Sequence, residues 1–403
     1  MKIVVYSHKP VWCSRESSSG YATDGGFVFH MQALAGLFDE LRVLVPVAPM
    51  GASKGEIPFP AGALVVVPLA PLWGRGVWRK LLFPFWLLRN APTLLGEFFR
   101  ADGVHTPIPG DVGTVGMLLA WLFRKPLYVR HCGNWLKPQT GAEKFWRWFM
   151  EFAGGGQNLM LATGGAPTPP SPRNPSVQWI FSSSLWRREI AAVARPRTLP
   201  LDRPLRLILV ARQETAKGGG RLIESLRWLS ADFPGIEAWI VGDGGAIPGY
   251  RKLSAELGLE AQVRFPGKVN HEEVLGLLHD CDLFVFPTTS SDGFPKAVLE
   301  AMATGLPVVA TRVSVLPSLL GEGVGLLLDS AEPVEVARGI RSALSDRGRY
   351  EDMSRKSVCK AQQYSLETWA ETIGSHLQTA WGATLSTGRI EDGTRAAAVN
   401  PPI

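Results

Sequence analysis

Short, mostly apolar runs alternate with amphipathic stretches along most of the chain. An apolar run of four to seven residues is typical of a strand buried on both faces of a parallel sheet. Such runs lie at residues 3–6, 42–46, 64–69, 205–211 and 238–241. Apolar residues at helical spacing follow the first run, from Phe27 to Leu37. Because the alternation occurs twice over, it predicts an α/β protein with two doubly wound, Rossmann-like domains facing a cleft.

The clearest unit of this pattern runs from Leu283 to Thr311. Its first and last segments, 283–286 and 308–311, are predicted to be buried parallel strands. Between them a polar turn leads into a helix, with Pro295 expected as the first helical residue and Gly305 placed to end the helix. The segment therefore predicts one complete βαβ unit.

The turn before this helix has the composition of a phosphate site. Asp292, Gly293 and Phe294 precede the helix, where backbone N–H groups and the helix dipole favour an anion. Glu300 lies in the second turn of the helix, and its carboxylate suits a pair of ribose hydroxyls better than a phosphate. The alternative is an ordinary turn followed by an exposed helical glutamate.

The stretch SSDGFPKAVLEAMATGLPVVAT resembles the donor-binding signature of retaining glycosyltransferases of family 4, which have the GT-B fold. That signature has an acidic residue, seven intervening residues and a glutamate. The resemblance implies that Glu300 and the backbone of Gly293, Phe294 and Pro295 bind a nucleotide-diphosphate sugar. Asp292 stands where the family usually has glutamate, so it is interpreted either as a sugar contact or as a helix cap.

Two cations follow the run at 205–211. Arg212 and Lys217 are five residues apart at the end of a predicted strand, just before a glycine-rich helix start. Guanidinium and ammonium groups in this position are suited to clamp a diphosphate. In the family a similar pair binds the donor pyrophosphate and stabilises the leaving group. A solvated basic loop is the alternative.

The resemblance implies further contacts, all of them at strand ends. In the second domain these are backbone contacts to the nucleotide, at Gly242, Gly244, Lys268 and Val269. In the first domain Gly25 and Gly26 would face the donor phosphate or the acceptor, and His131 would line the sugar pocket, with Arg130 and Asn134 as neighbours. A tight helix entry and a structural histidine are the alternatives. Ser182–Ser184 replace the Asn-Gly turn that the family usually has.

Aromatic and basic residues are mixed in two stretches of the first domain. The longer, 72–100, contains Trp73, Trp78 and Trp86 among arginines and lysines, and 144–152 reads KFWRWFMEF. This mixture on an amphipathic stretch is typical of a helix that lies on an anionic membrane surface. The alternative is that the tryptophans pack into the domain.

Composition narrows the class of partner and the compartment. The 403 residues are 46% hydrophobic and 19% charged, with a net charge of +6, which suits anionic ligands. No nucleic-acid-binding pattern accompanies the charge, so nucleic acid is not expected. The four cysteines have no metal or disulfide spacing. Without a signal-peptide pattern or an apolar run of about 18 residues, a cytoplasmic protein, peripheral on the inner face of the membrane, is expected.

The expected organisation is an acceptor-side domain at 1–195 and a nucleotide-sugar domain at 196–365, joined by a basic, proline-containing linker near 194–203. A terminal helix at 366–381 would cross back to the first domain, and 382–403, which lacks an apolar pattern, is expected to be a disordered tail. The expected function is retaining, metal-independent sugar transfer, without a cofactor, to a glycan, lipid-linked or small-molecule acceptor in cell-envelope synthesis. A sugar-nucleotide epimerase of the same fold and a non-catalytic sugar-nucleotide or membrane-binding module are the alternatives.

Overall fold

The chain divides into two compact units. The computed structural model describes residues 1–49, 56–74, 76–138, 140–166, 168–200, 202–291 and 293–385. Unit 1 comprises Met1–Cys132, Thr140–Leu161 and the chain from Leu366 onward, and unit 2 comprises Gly133–Gln139 and Ala162–Ser365. The contact boundary thus lies at Leu161, before the domain boundary predicted at residue 195. The helix predicted at 366–381 belongs to unit 1.

Strands and helices alternate through both units. In chain order the strands are β1 (Lys2–Tyr6), β2 (Trp12–Cys13), β3 (Tyr21–Asp24), β4 (Glu40–Pro46), β5 (Glu56–Pro58), β6 (Leu64–Leu69), β7 (Gly103–Ile108), β8 (Leu127–His131), β9 (Asn158–Thr163), β10 (Val177–Ile180), β11 (Arg206–Val210), β12 (Glu237–Val241), β13 (Val263–Gly267), β14 (Leu283–Phe286), β15 (Val308–Thr311) and β16 (Leu326–Leu328). The helices are α1 (Phe27–Ala35), α2 (Gly76–Arg100), α3 (Asp111–Leu122), α4 (Gly141–Ala153), α5 (Arg187–Val193), α6 (Gly219–Leu229), α7 (Ile247–Glu256), α8 (His271–Asp280), α9 (Lys296–Ala303), α10 (Leu316–Leu320), α11 (Pro333–Leu344), α12 (Arg347–Ala361) and α13 (Leu366–Trp381).

Two larger sheets organise the fold. The first has the order β10-β9-β8-β7-β1-β4-β6, and its pairs from β6 to β8 are parallel. The second has the order β13-β12-β11-β14-β15-β16 and is parallel throughout. Each strand order reverses once, between β1 and β7 and between β11 and β14. Ligands of doubly wound sheets bind outside the carboxyl ends of the strands at such a reversal. The predicted α/β fold class with two Rossmann-like domains is confirmed.

A small antiparallel sheet was not predicted. β3 pairs with β2 and with β5, and both pairings are antiparallel. Strands of two to four residues are too short to show a hydrophobic period, and β5 lies more than thirty residues after β3 in the chain. Neither feature can be read from a local pattern.

The segment predicted as a linker, near 194–203, packs closely in unit 2. The Arg197 guanidinium donates to the carbonyls of His279, at 2.6 Å, and Leu278, at 3.1 Å. The backbone N–H of Arg197 donates to Ser354 Oγ at 2.7 Å. Arg203 binds both carboxylate oxygens of Asp282, which is buried. These contacts make the segment part of the unit, which corrects the prediction of a linker.

The terminal helix α13 has the bounds that the sequence predicted. Its apolar residues Leu366, Trp369, Ile373 and Leu377 recur at helical spacing and are all fully buried. Trp369 packs edge-on against the His30 ring of α1, with the ring centroids 4.7 Å apart. The helix therefore contributes to the core of unit 1, although it comes last in the chain.

Candidate functional site

Four loops at the carboxyl edge of the second sheet interlock through hydrogen bonds to backbone carbonyls. After β11, Gln213 Nε2 donates to the Val241 carbonyl at 2.7 Å. After β12, the Gly242 N–H donates to the Gly267 carbonyl at 2.9 Å. After β14, the Thr289 N–H donates to the Ala216 carbonyl at 2.8 Å. The loops after β11, β12, β13 and β14 thus form one preorganised edge.

Two glycines after β12 allow this close approach. At Gly242, where φ is +116°, an added Cβ would lie 1.9 Å from the Ala211 carbonyl oxygen. At Gly244 it would lie 2.3 Å from the Gln213 carbonyl oxygen. The turn predicted to line the nucleotide therefore requires glycine for backbone packing, whether or not a ligand is bound.

We expect Gly244→Ala to lower the free energy of unfolding by about 1–3 kcal/mol, because the backbone of Gln213 cannot yield to a methyl group. The neighbouring Gly245 is the matched control, since an added Cβ there meets nothing within 4 Å. Gly245→Ala should stay within about 0.5 kcal/mol of the parent protein. Denaturant unfolding of both variants measures the difference, and equal losses would contradict the packing argument.

The two cations after β11 differ in environment. Lys217 ends a 3₁₀ turn, Thr215–Lys217, and is only 8% exposed. Burial lowers the pKa of Lys217, while the carboxylate of Glu214 raises it and the nearby charge of Arg212 lowers it. The Arg212 side chain is 79% exposed, with Nη1 3.3 Å from Glu214 Oε1. Of the predicted clamp, Lys217 is therefore held in place and Arg212 lies at the surface.

The loop after β14 is held by its glycine and its aromatic ring. At Gly293 an added Cβ would lie 2.7 Å from the Thr163 carbonyl oxygen. The Phe294 ring is buried near Phe181 and Tyr364, with centroid distances of 6.2 and 5.7 Å. Phe294 thus offers its backbone, not its ring, to a ligand. Asp292 lies outside the described residues, so its two interpretations stay predictions.

Helix α9 begins one residue later than predicted. Pro295 is its N-cap, with ψ at 94°, and Lys296 is the first helical residue. The expected end is confirmed, because Gly305 has a φ of +74° just after the C-cap residue Thr304. The other predicted backbone contacts follow β13: Lys268 is exposed, and Val269 is half-buried against the core of unit 2.

Glu300 is buried, with only 7% exposure, which rules out the alternative of an exposed helical glutamate. Ser184 Oγ donates to Glu300 Oε1 at 2.7 Å, and His271 Nδ1 lies 3.5 Å from the same oxygen. The sequence reasoning did not assign either partner a role. The only available signal was the serine run 182–184, in the place of the family's usual turn. The Glu300 carboxylate is therefore oriented by other side chains before any ligand binds.

We expect Ser184→Ala to destabilise the protein by about 1–3 kcal/mol, because a buried carboxylate loses a hydrogen-bond donor. Ser183→Ala is the matched control, since among the described residues the Ser183 hydroxyl bonds only the backbone of Leu185. Unfolding of each serine variant in the parent and in Glu300→Ala, which removes the acceptor, completes a double-mutant cycle. Coupling to Glu300 of about 1 kcal/mol is expected for Ser184, and none for Ser183. If neither serine couples to Glu300, the hydrogen bond between Ser184 and Glu300 contributes no free energy to folding.

The predicted residues of unit 1 lie at strand ends and a helix start. Gly26 is the N-cap of α1, directly after Gly25, which has a φ of +68°. His131 ends β8 and is buried. Arg130, predicted as a possible ligand contact, instead stacks on the Trp369 ring at 5.0 Å. Asn134 belongs to unit 2, where its Oδ1 accepts a hydrogen bond from Ser291 Oγ at 3.1 Å.

Within the described ranges, no group of three or more His, Cys, Asp or Glu side chains could hold a metal ion. No helix in the described part of the chain is both long and apolar enough to cross a membrane.

Two Rossmann-like units with parallel sheets define the GT-B class of proteins, and solved structures of that class share this fold. Residues 194–358 match the model of the family described as glycosyl transferases group 1. The matched residues all lie in unit 2, which is therefore similar to that family. The finer assignment to family 4 stays a prediction.

Relatives of known name match part of the chain. The putative colanic acid biosynthesis glycosyltransferase WcaL of Salmonella typhimurium is 31% identical over 188 residues, which is 44% of this chain and 45% of WcaL. The amylovoran biosynthesis glycosyltransferase AmsK of Erwinia amylovora is 35% identical over 129 residues, 31% of this chain and 32% of AmsK. The chain thus spans less than half the length of these relatives.

A solved structure covers more of the chain at lower identity. The crystal structure of Anabaena HepE in complex with UDP and glucose has a TM-score of 0.67 at 18% identity, covering 94% of this chain and 100% of HepE. At this identity the likeness establishes the fold alone.

Proposed function

We propose that this protein is a glycosyltransferase that moves a sugar from a nucleotide-diphosphate sugar to a glycan, lipid-linked or small-molecule acceptor in cell-envelope synthesis. The observation that carries the proposal is that two buried side chains of opposite charge follow the two strands, β11 and β14, that flank the strand reversal of unit 2. Lys217 follows β11, and Glu300 lies on the helix after β14. The names of WcaL and AmsK, and the UDP bound by HepE, support the donor class and the pathway class.

The two charges suit the two halves of such a donor. The Lys217 ammonium, preorganised by burial, stabilises the negative charge that develops on the departing diphosphate. Arg212 adds a mobile second cation from the surface. The Glu300 carboxylate, oriented by Ser184, accepts hydrogen bonds from a ribose diol.

The proposed reaction is retaining and uses no metal. The bond between the sugar C1 and the diphosphate oxygen breaks, and the acceptor oxygen bonds to C1 on the same face. The acceptor proton passes to an oxygen of the leaving diphosphate. This course is implied by the resemblance to family 4, and the cytoplasmic location likewise stays a prediction.

A ligand screen followed by an activity assay tests the proposal. Thermal unfolding with UDP-, GDP- and ADP-sugars should single out one donor, since a ligand at about 100 times its Kd adds about 2.7 kcal/mol of stability. That donor, radiolabelled in its sugar, is then incubated with and without a membrane lipid extract. Transfer with an unchanged anomeric configuration supports the proposal.

The other two functions give different products in the same assay. An epimerase would convert the donor sugar without an acceptor and release no nucleotide diphosphate. A non-catalytic module would be stabilised by the donor but would not turn it over. Either result would overturn the proposed transferase activity.

A further inference from the structure

Helix α2 has two apolar faces instead of the usual one. One face packs into unit 1 through Trp86, Leu94 and Phe98, which are all buried. The tryptophan thus follows the alternative in which aromatic residues pack into the domain, with its Nε1 donating to the Ala70 carbonyl at 2.8 Å. A second stripe at helical spacing faces outward, at positions Trp78, Leu81, Phe85, Leu88, Leu95 and Phe99. Trp78 is 69% exposed and Leu88 is 71% exposed.

The ends of two further helices extend this outward stripe. The Phe99 ring of α2 contacts the exposed ring of Phe123, which follows α3, at a centroid distance of 5.7 Å. Trp121 at the end of α3 contacts Phe152 of α4 at 6.1 Å, and Phe152 stacks on Trp148 at 5.4 Å. These rings are all exposed, and the two groups of touching rings are linked along the chain, since Trp121 and Phe123 are two residues apart. The exposed rings of α2, α3 and α4 in unit 1 are here called the aromatic surface.

The aromatic surface is too large to be incidental. Soluble monomers rarely expose contiguous apolar patches of more than a few hundred Å². Aromatic side chains carry about 150–250 Å² each. Seven of the exposed side chains on this surface are Trp or Phe from α2, α3 or α4: Trp78, Phe85, Phe99, Trp121, Phe145, Trp148 and Phe152. A patch of this extent marks an interaction site.

Charge is distributed unevenly around the aromatic surface. Lys80, Arg89, Arg124 and Lys144 are exposed on or beside its helices, and none of these four has an ion-pair partner among the described residues. The acidic residues of the same helices are all buried or half-buried, and they are Glu97, Asp111, Glu143 and Glu151. The occupant of the surface is therefore apolar at its centre and anionic around it.

We propose that the aromatic surface binds an anionic lipid bilayer, with the rings at the level of the headgroups and upper acyl chains. Indole rings favour that interface, and exposed lysine and arginine side chains bind anionic headgroups. A second copy of the chain fits less well, because a two-fold contact would set the same basic surface against itself. The binding extends the stretches 72–100 and 144–152 to the end of α3 and does not depend on the transferase activity.

Flotation of the full chain with two kinds of vesicle tests this proposal. One kind is phosphatidylcholine alone, and the other mixes phosphatidylcholine with phosphatidylglycerol. Strong binding to the anionic vesicles is expected at about 0.1 M salt and weaker binding at about 1 M, where the screening length falls from about 10 Å to about 3 Å. Binding to neither vesicle at the lower salt concentration would overturn the proposal.

Two double variants separate the apolar part from the charged part. Lys80→Gln with Arg89→Gln should weaken partitioning into anionic vesicles by about 30-fold, about 5-fold for each cation. Lys252→Gln, an exposed helical lysine of unit 2, is its control and should bind as the parent does. The double variant Trp78→Gln, Trp148→Gln should bind both kinds of vesicle more weakly. Its control is Trp228→Gln, which should bind as the parent does, because Trp228 is 41% exposed but lies in unit 2.

Analytical ultracentrifugation without lipid addresses the second copy directly. A monomer that floats with anionic vesicles supports the bilayer. A dimer that dissociates in the Trp78→Gln and Trp148→Gln variant would assign the aromatic surface to self-association and overturn the proposal. If the double variant Trp78→Gln, Trp148→Gln binds vesicles as well as Trp228→Gln does, and the melting temperatures are unchanged, the proposal is overturned as well.

Discussion

Replacing Lys217 by alanine is expected to lower kcat at saturating donor by about 100-fold or more, the scale of losing one preorganised partner of a developing charge. The effect should exceed that of Arg212→Ala, because Lys217 is held by burial while the Arg212 side chain is largely exposed. Single-turnover kinetics on the donor found by thermal unfolding measure both effects. If a variant with both Lys217→Ala and Arg212→Ala turned over the donor at the wild-type rate, neither residue would belong to the site.

Two controls separate charge from folding. Arg338→Ala removes an exposed cation of α11 in the same unit and should leave kcat unchanged. Lys217→Arg keeps the charge and should recover part of the activity. Because burial lowers the pKa of Lys217, the parent enzyme should lose activity with rising pH before an ordinary lysine would titrate. In Lys217→Arg that alkaline loss should move to higher pH, since arginine remains charged.

Glu300→Gln is expected to lower kcat/KM for the donor by about 10- to 100-fold, the equivalent of one charge-assisted hydrogen bond of about 1.5–3 kcal/mol. The glutamine has nearly the same shape and can still accept the Ser184 hydroxyl, so the fold should be retained. The loss should show mainly as a higher donor KM, with a smaller fall in kcat.

A donor lacking the ribose 2′-hydroxyl tests whether Glu300 meets the diol. On that donor the parent enzyme should already be impaired, and Glu300→Gln should add little further loss. If the variant loses the same factor on both donors, Glu300 acts elsewhere, and the assignment to the ribose is wrong.

Local sequence patterns predicted the parts of the fold that are themselves local. The βαβ unit from Leu283 to Thr311 has its predicted strands, and its helix begins within one residue of the predicted start. A buried parallel strand, a helix with one apolar stripe and a glycine after the last turn are each written within a few residues. The same reasoning predicted Lys217 and Glu300 as site residues, because ligands of α/β folds bind at strand ends.

Contacts between distant segments could not be read in the same way. Ser184 and Glu300 are 116 residues apart, and only folding brings the hydroxyl to the carboxylate. The Phe294 ring packs into the core because Phe181 and Tyr364, from distant parts of the chain, contact it there. Arg130 lies near the carboxyl end of β8, where a ligand contact is expected, yet α13 supplies the Trp369 ring on which it stacks.

The sequence by itself predicted the α/β fold class, because apolar periodicity is a property of neighbouring residues. Only the tertiary structure decided which of two equivalent-looking side chains is buried. Trp86 packs inward and Trp78 outward on the same helix, and Lys217 is enclosed while Arg212 is not. Burial depends on what other segments cover each side chain, and a local pattern does not contain that information.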